Sequence, residues 1–301
     1  MAHDTDEFRY LPSQAQTLGT PLPHAERLTH TLADGRMLSA LRYGTDAPEV
    51  TLLHGAGLNA HTWDNVALLL GRPLLAIDLA GHGDSSWRDD ADYSPASLAA
   101  DVAHAMQAWS AQHQVLIGHS LGGLTAAVVA DRHPELVDEL VLVDVVPGLD
   151  TDAAPSVLRE FYTVTDFDSR DDAVERAESF GFGGTREDTE RGVFFNTRVR
   201  EDGRVEWKHH FARIIGHAFD ALNAANRASD GDPWTHLTGV QAPVTLVRGS
   251  RGFLRDDDVA EFSRRLPSAS VIAVDAGHNV QETAPAFLAD LATTVLNRTR
   301  R

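Results

Sequence analysis

The sequence predicts an α/β fold, a mostly parallel eight-stranded sheet flanked by helices, and three observations carry that expectation. First, apolar runs alternate with helix-length segments: Val50 to His54, Pro73 to Leu79, Val115 to Gly118, Leu140 to Val145, Val244 to Arg248 and Val271 to Val274. Short runs rich in Val, Leu and Ile read as strands covered on both faces, which requires a parallel sheet with crossover helices. Second, Arg27 to Thr31 and Arg36 to Tyr43 flank Ala33-Asp34-Gly35, a hairpin signal that adds two antiparallel strands at one edge. Third, the alternation breaks only once, between about Pro147 and Gln241.

Taken in order, the first 25 residues carry prolines and polar residues without periodicity and are expected to form an extended arm. The hairpin and the first four apolar runs follow. Residues 147–241 show helical patterns at Ala154 to Val164, Asp171 to Phe180 and Phe211 to Asn226, with no clear core strand. They are expected to form a helical cap inserted into a core made of residues 1–146 and 242–301.

Composition narrows the function. The chain has 301 residues, 43% of them hydrophobic, enough for one large core or a core with a smaller appendage. With no cysteine, there can be no disulfide, thiolate metal site or cysteine nucleophile. The polar, acidic start lacks an apolar stretch, so no secretory signal is expected, and no run approaches bilayer-spanning length. A cytoplasmic location is the expectation. A formal charge of −18 argues against nucleic acid or an anionic membrane as partner, because both would repel the chain. Lys208 is the only lysine, which confines Schiff-base chemistry to that position.

Chemistry enters at Gly118-His119-Ser120-Leu121-Gly122, between the apolar run Val115-Leu116-Ile117 and the Ala/Leu-rich segment Leu121 to His133. In a strand-to-helix turn, a Gly-x-Ser-x-Gly pattern forces the serine onto a tight elbow, and the glycines let strand and helix pack closely. A serine becomes nucleophilic only when a base takes its proton. Of the 15 histidines, His278 fits best. It follows the last strand run within Asp275-Ala276-Gly277-His278-Asn279, where Gly277 is expected to give the loop freedom to turn.

These segments resemble the α/β-hydrolase superfamily. The likeness rests on Leu53-His54-Gly55-Ala56-Gly57, on Asp78-Leu79-Ala80-Gly81-His82-Gly83-Asp84-Ser85, on Gly118 to Gly123 and on Gly277-His278, in that order. The closest flavour is the esterase and lactonase group with a helical cap. The resemblance implies an α/β-hydrolase fold with Ser120 as nucleophile and His278 as base. It places the oxyanion-hole amides at Leu121 and at Ala56, with Gly57 as the neighbour. His54 is read as a brace for its loop, and Asp78, His82 and Asp84 as structural.

The acid departs from the commonest family pattern, which puts an aspartate in the loop after the seventh strand. Here that loop reads Arg248-Gly249-Ser250-Arg251-Gly252-Phe253-Leu254-Arg255, and carboxylates come only at Asp256, Asp257 and Asp258. Those look like the first turn of the next helix. Asp144 ends the apolar run Leu140 to Val143, where an uncompensated carboxylate would be costly. Pairing with His278 would supply the compensation, so Asp144 is the expected acid and Asp256 the alternative.

Trp207, His209, His210, Phe211, Phe194 and Phe195 are the candidates to line a pocket under the cap, although ordinary packing is the simpler role for any one of them. Lys208-His209-His210 suggests a metal, but adjacent histidines point apart on a helix or a strand, so no metal is assigned. The expected activity is hydrolysis of a small or medium, largely apolar carboxylic ester or lactone through an acyl-enzyme. No cofactor and no macromolecular partner are required, and a homodimer stays open. Alternatives are carbon–carbon bond hydrolysis of ring-cleavage products, cofactor-free perhydrolase or haloperoxidase chemistry, and a non-catalytic ligand-binding member of the fold.

Overall fold

The computed structural model describes residues 7–111, 113–149, 155–214 and 232–299. Its strands are β1 (Ala25–Thr31), β2 (Met37–Tyr43), β3 (Val50–Leu53), β4 (Leu74–Asp78), β5 (Gln114–His119), β6 (Val137–Val143), β7 (Asp166–Phe167), β8 (Thr197–Val199), β9 (Val205–Trp207), β10 (Val244–Arg251) and β11 (Ser270–Gly277). Eight of them form one sheet in the order β1-β2-β4-β3-β5-β6-β10-β11. β2 pairs antiparallel with both β1 and β4, and every other pair is parallel. The mostly parallel eight-stranded sheet read from the apolar runs and the hairpin is the one observed, and it agrees with the α/β-hydrolase fold that the motif resemblance implies.

Successive residues of the central strands point to opposite faces and feed two cores. On β4, Leu75 and Ile77 join a cluster with α3 (Pro95–Trp109) and α4 (Leu121–Arg132). Leu74 and Ala76 join the opposite cluster with α2 (Asp64–Leu70) and the C-terminal helix Pro285–Thr299. Both faces are covered, which explains why these strands show no polar alternation.

Two expectations need correction. The first 25 residues are not simply an extended arm, because Leu11–Leu18 forms α1. Pro12 sits in its first turn, where a missing N–H costs nothing, and Gly19 ends it in a left-handed conformation (φ 66°). Leu11, Ala15 and Leu18 tie it into the core cluster, too few apolar positions to stand out among the prolines and polar residues around them.

The stretch 155–214 is not all helical. Beside helices Pro155–Phe161, Arg170–Ser179 and Arg186–Asn196 it carries a three-stranded antiparallel sheet in the order β7-β9-β8. Strands of two or three residues are too short to leave a pattern. Phe161, Phe167, Val174, Val193, Val205 and Trp207 give this stretch an apolar cluster of its own. Of the helix expected over Phe211 to Asn226, positions 211–214 are helical and the rest lies outside the described residues, as does Ala154.

Candidate active site

β5 ends at His119 and α4 begins at Leu121, so Ser120 alone makes the turn, at φ 51° and ψ −121°. A side chain rarely adopts such a backbone unless the surroundings impose it. A Cβ on Gly118 would lie 2.4 Å from the Gly122 carbonyl oxygen, and one on Gly122 would lie 2.5 Å from the carbonyl oxygens of Leu53 and His54. The elbow therefore needs glycine at both flanks, and it packs directly on the end of β3.

That packing brings the loop after β3 to the serine. A Cβ on Gly55 would stand 3.2 Å from Ser120 Cβ. The imidazole of His54 fixes the loop: its Nδ1–H donates to the Gly55 carbonyl (2.8 Å), and its Nε2 accepts from the Leu79 N–H (3.0 Å). Burial pushes the His54 pKa down, which keeps this neutral, doubly bonded form. The brace read from the sequence matches the geometry. Among the described residues the N–H groups of Ala56 and Leu121 have no acceptor. For Leu121, the first residue of α4, that follows from its position at the helix start.

Asp144 directly follows β6, fully buried and with a left-handed backbone (φ 50°). Its own N–H is tied to the Val247 carbonyl of β10 at 2.8 Å. Its carboxylate accepts three hydrogen bonds: from the Gly249 N–H (3.0 Å), the Phe253 N–H (2.8 Å) and His278 Nδ1 (2.8 Å). These bonds compensate a charge that would otherwise be expensive to bury. Asp256 lies elsewhere. It opens the helix Asp256–Arg265, its carboxylate is exposed, and it pairs with Arg248 at 2.6 Å. Of the two candidate acids, only Asp144 reaches the histidine.

With Nδ1 given to Asp144, the unused nitrogen of His278 is Nε2. Ser120 Oγ has no hydrogen-bond partner among the described residues, and its neighbour His119 is the residue that contacts His278, with ring centroids 4.6 Å apart. Bonds between a nucleophile and its base are often long before substrate arrives and tighten with it. Gly277, expected to give its loop freedom, has no left-handed backbone, and a Cβ there would meet nothing. His278 is held from other directions. His119 Nε2 donates to its backbone carbonyl (3.1 Å), and the ring of Phe253 stacks on the imidazole, 3.8 Å between centroids and 15° from parallel. Burial, then the neighbouring His278, pushes the His119 pKa well down, leaving it a neutral donor.

The turn after β4 is a structural knot. Asp78 is fully buried and accepts the N–H groups of Ala60 (2.8 Å) and Asp84 (3.1 Å) while pairing with Arg27 at 2.7 Å. Burial alone would raise its pKa, but Arg27 and these donors win and hold it down to about 2. Asp84 pairs with Arg27 (3.3 Å) and Lys208 (2.9 Å), and His82 is buried.

The aromatic candidates divide. Phe195 stacks on His61 (3.7 Å) and Phe194 packs edge-on to Tyr10, so both anchor residues 186–196 to the N-terminal region. His209 and His210 diverge: His210 stacks on Trp87, while His209 packs beside Tyr162, Trp207 and His82. Phe211 does approach the site. A Cβ on Gly57 would lie 3.9 Å from its ring and 3.2 Å from the Tyr162 hydroxyl. Tyr162, Phe253 and the carboxylate-facing Gly252 were not picked out from the sequence. The glycine pair Gly249 and Gly252, in a loop without its expected acid, was the one available signal.

Residues 48–285 match the family model described as the alpha/beta hydrolase fold. The chain belongs to this family. It is 36% identical over 303 residues to esterase Rv0045c of Mycobacterium tuberculosis, spanning 97% of this chain and 96% of that one. A solved structure of the same esterase superposes with a TM-score of 0.80 at 34% identity, covering 98% of this chain and 100% of the other. The sn-1-specific diacylglycerol lipase ABHD11 of Xenopus laevis is 28% identical, over 85% of this chain and 80% of its own. These relatives make the protein an esterase-type α/β hydrolase. Among its described residues no helix is long and apolar enough to cross a membrane.

Proposed function

We propose that this α/β hydrolase cleaves small to medium, largely apolar carboxylic esters or lactones, with Ser120 as nucleophile, His278 as general base and Asp144 as the acid partner. The observation that carries the reading is the buried Asp144 carboxylate bonded to His278 Nδ1 at 2.8 Å, together with a serine at 120 on a left-handed elbow. His278 Nε2 takes the Ser120 proton, and the alkoxide adds to the ester carbonyl. The new oxyanion is met by the free amides of Ala56 and Leu121, which need not reorganise. His278 returns the proton to the leaving alcohol, then activates water to release the acid. Asp144 orients the ring and stabilises its charged form. The names of the relatives, an esterase and a diacylglycerol lipase, agree with an ester substrate. Residues 155–214 would then act as the cap over this site.

A fluorophosphonate probe tests the nucleophile: wild type labels and Ser120→Ala does not. On p-nitrophenyl butyrate, Asp144→Asn is expected to lose at least about 100-fold in kcat/KM, since the wrong imidazole tautomer is favoured. Asp256→Asn should stay within about twofold. The opposite ranking would move the acid to the helix.

A further inference from the structure

Of the four tyrosines, Tyr10 accepts from Arg9, Tyr43 donates to Asp64, and Tyr93 bonds the Arg88 N–H and His210. Tyr162, just past the helix Pro155–Phe161, is the only one whose hydroxyl has no partner among the described residues. Its ring is not loose. It packs edge-on against Phe161 (4.7 Å), His209 (5.1 Å), Trp207 (5.8 Å) and Phe211 (5.9 Å), all within 17° of perpendicular. Four aromatic walls fix the direction of the hydroxyl, and that direction is the loop after β3: the oxygen stands 3.2 Å from where a Gly57 Cβ would be. Gly57 has a left-handed backbone (φ 74°) and follows Ala56, whose N–H is also unpaired. A fixed hydroxyl without a partner among the described residues, beside Gly57 in the loop that carries the unpaired Ala56 N–H, is placed to donate to an acceptor oxygen brought by a ligand.

We propose that the Tyr162 hydroxyl donates a hydrogen bond to the ester group of the bound substrate, making Tyr162 a catalytic or binding residue contributed by residues 155–214. The inference rests on the function proposed above and adds a substrate contact to it. The acceptor is an ester oxygen, because the surrounding rings are largely apolar and the hydroxyl is, with the unpartnered Nε2 of His209, one of few polar points among them, the usual way such pockets fix orientation. Burial pushes the Tyr162 pKa up, so the group stays a neutral donor across the working pH range. Two ester oxygens share this chemistry. A bond to the carbonyl oxygen strengthens as charge develops, whereas a bond to the alkoxy oxygen is made already in the ground state.

The test is Tyr162→Phe, which removes only the unpartnered hydroxyl and keeps all four ring contacts. Because nothing in the fold uses that hydroxyl, the melting temperature is expected to hold within about 2 °C or rise. On p-nitrophenyl butyrate, kcat/KM should fall roughly 3- to 30-fold. A fall carried by kcat identifies the carbonyl oxygen, and one carried by KM identifies the alkoxy oxygen. An unchanged kcat/KM overturns the proposal. So does a fall accompanied by an equal loss of stability, since that would make the hydroxyl structural. Fluorophosphonate labelling of wild type and Ser120→Ala in the same experiment separates the two layers. If labelling does not depend on Ser120, the proposed nucleophile fails. If it does, and Tyr162→Phe is fully active, only the tyrosine contact fails.

Discussion

Gly252→Ala is the sharpest test of how the acid is held. A Cβ at this position would sit 2.2 Å from Asp144 Oδ2, 2.4 Å from Oδ1 and 2.5 Å from the carboxyl carbon. The carboxylate cannot retreat, because its residue is bonded to β10 through Val247 and its oxygens face Gly249, Phe253 and His278. The loop must therefore open by about an ångström to reach ordinary contact, which stretches the Phe253 N–H bond beyond hydrogen-bond range. A hydrogen bond to a charged acceptor contributes about 1.5–3 kcal/mol, while Gly→Ala at a permissive backbone gains about 0.4–1 kcal/mol. The net expectation is a loss of roughly 1–2 kcal/mol and, with the imidazole no longer firmly oriented, a fall in kcat/KM of about 10-fold or more. Gly192→Ala is the control: it lies inside the helix Arg186–Asn196, a Cβ there meets nothing, and the change should stabilise by about 1 kcal/mol. Urea unfolding at neutral pH and initial rates on p-nitrophenyl butyrate read both effects. If Gly252→Ala proves as stable as Gly192→Ala and fully active, the loop does not hold the acid in the way described.

Two further outcomes follow from the same geometry. Asp78 has a folded pKa of about 2 against an ordinary value of 3.8, so its stabilisation is present above pH 3.8 and is lost as pH falls towards 2, a contribution of about 2 kcal/mol. Removing its partner in Arg27→Leu leaves a buried carboxylate that prefers its proton, so that variant should lose stability at neutral pH and recover part of it on mild acidification. Urea midpoints at pH 3, 5 and 7 give the sign, and parallel curves for the two proteins would contradict the assigned pairing. Phe253→Ala strips the ring from His278 but keeps the backbone donor to Asp144. With that face of the imidazole uncovered, the loss of a ring contact of about 0.5–1 kcal/mol should lower kcat/KM on p-nitrophenyl butyrate by about 2- to 5-fold. An unchanged kcat/KM would leave the stacking without consequence.

The sheet was legible because burial on two faces writes long apolar runs, and Leu140 to Val143 or Val244 to Val247 cannot easily be anything else. Asp144 was legible for the complementary reason, as a charge placed where only a partner makes it affordable. What stayed hidden depends on contacts between distant segments. α1 holds through Leu11, Ala15 and Leu18 and through a hydrogen bond from Gln14 to Asn65, and β8 and β9 exist because they pair with each other and pack Val205 and Trp207 inward. Tyr162 carries no local signal at all, since its significance lies in Gly57, more than a hundred residues earlier.

The place of the proposed acid can be understood from the sheet itself. β10, the seventh strand of the large sheet, pairs in parallel with β6, Val247 facing Val143 in register. β10 runs on beyond that register to Arg251, so the Asp144 carboxylate leaving β6 lies against the end of β10 and beside the imidazole of His278. Here the end of β6 supplies the carboxylate, Gly249 of β10 supplies one N–H donor, and the loop after β10, which carries no acid, supplies the second donor at Phe253 and an aromatic face. That exchange carries a steric condition, because the loop must now pass across the carboxylate that replaced its own. Only a residue without a Cβ can make the pass at 252, so a glycine there should accompany an acid at 144. Moving the acid into the loop while replacing Asp144 by a smaller residue would relieve the constraint. A Gly252→Asp, Asp144→Ala double variant is therefore expected to tolerate a side chain at 252 that the single Gly252→Asp variant cannot.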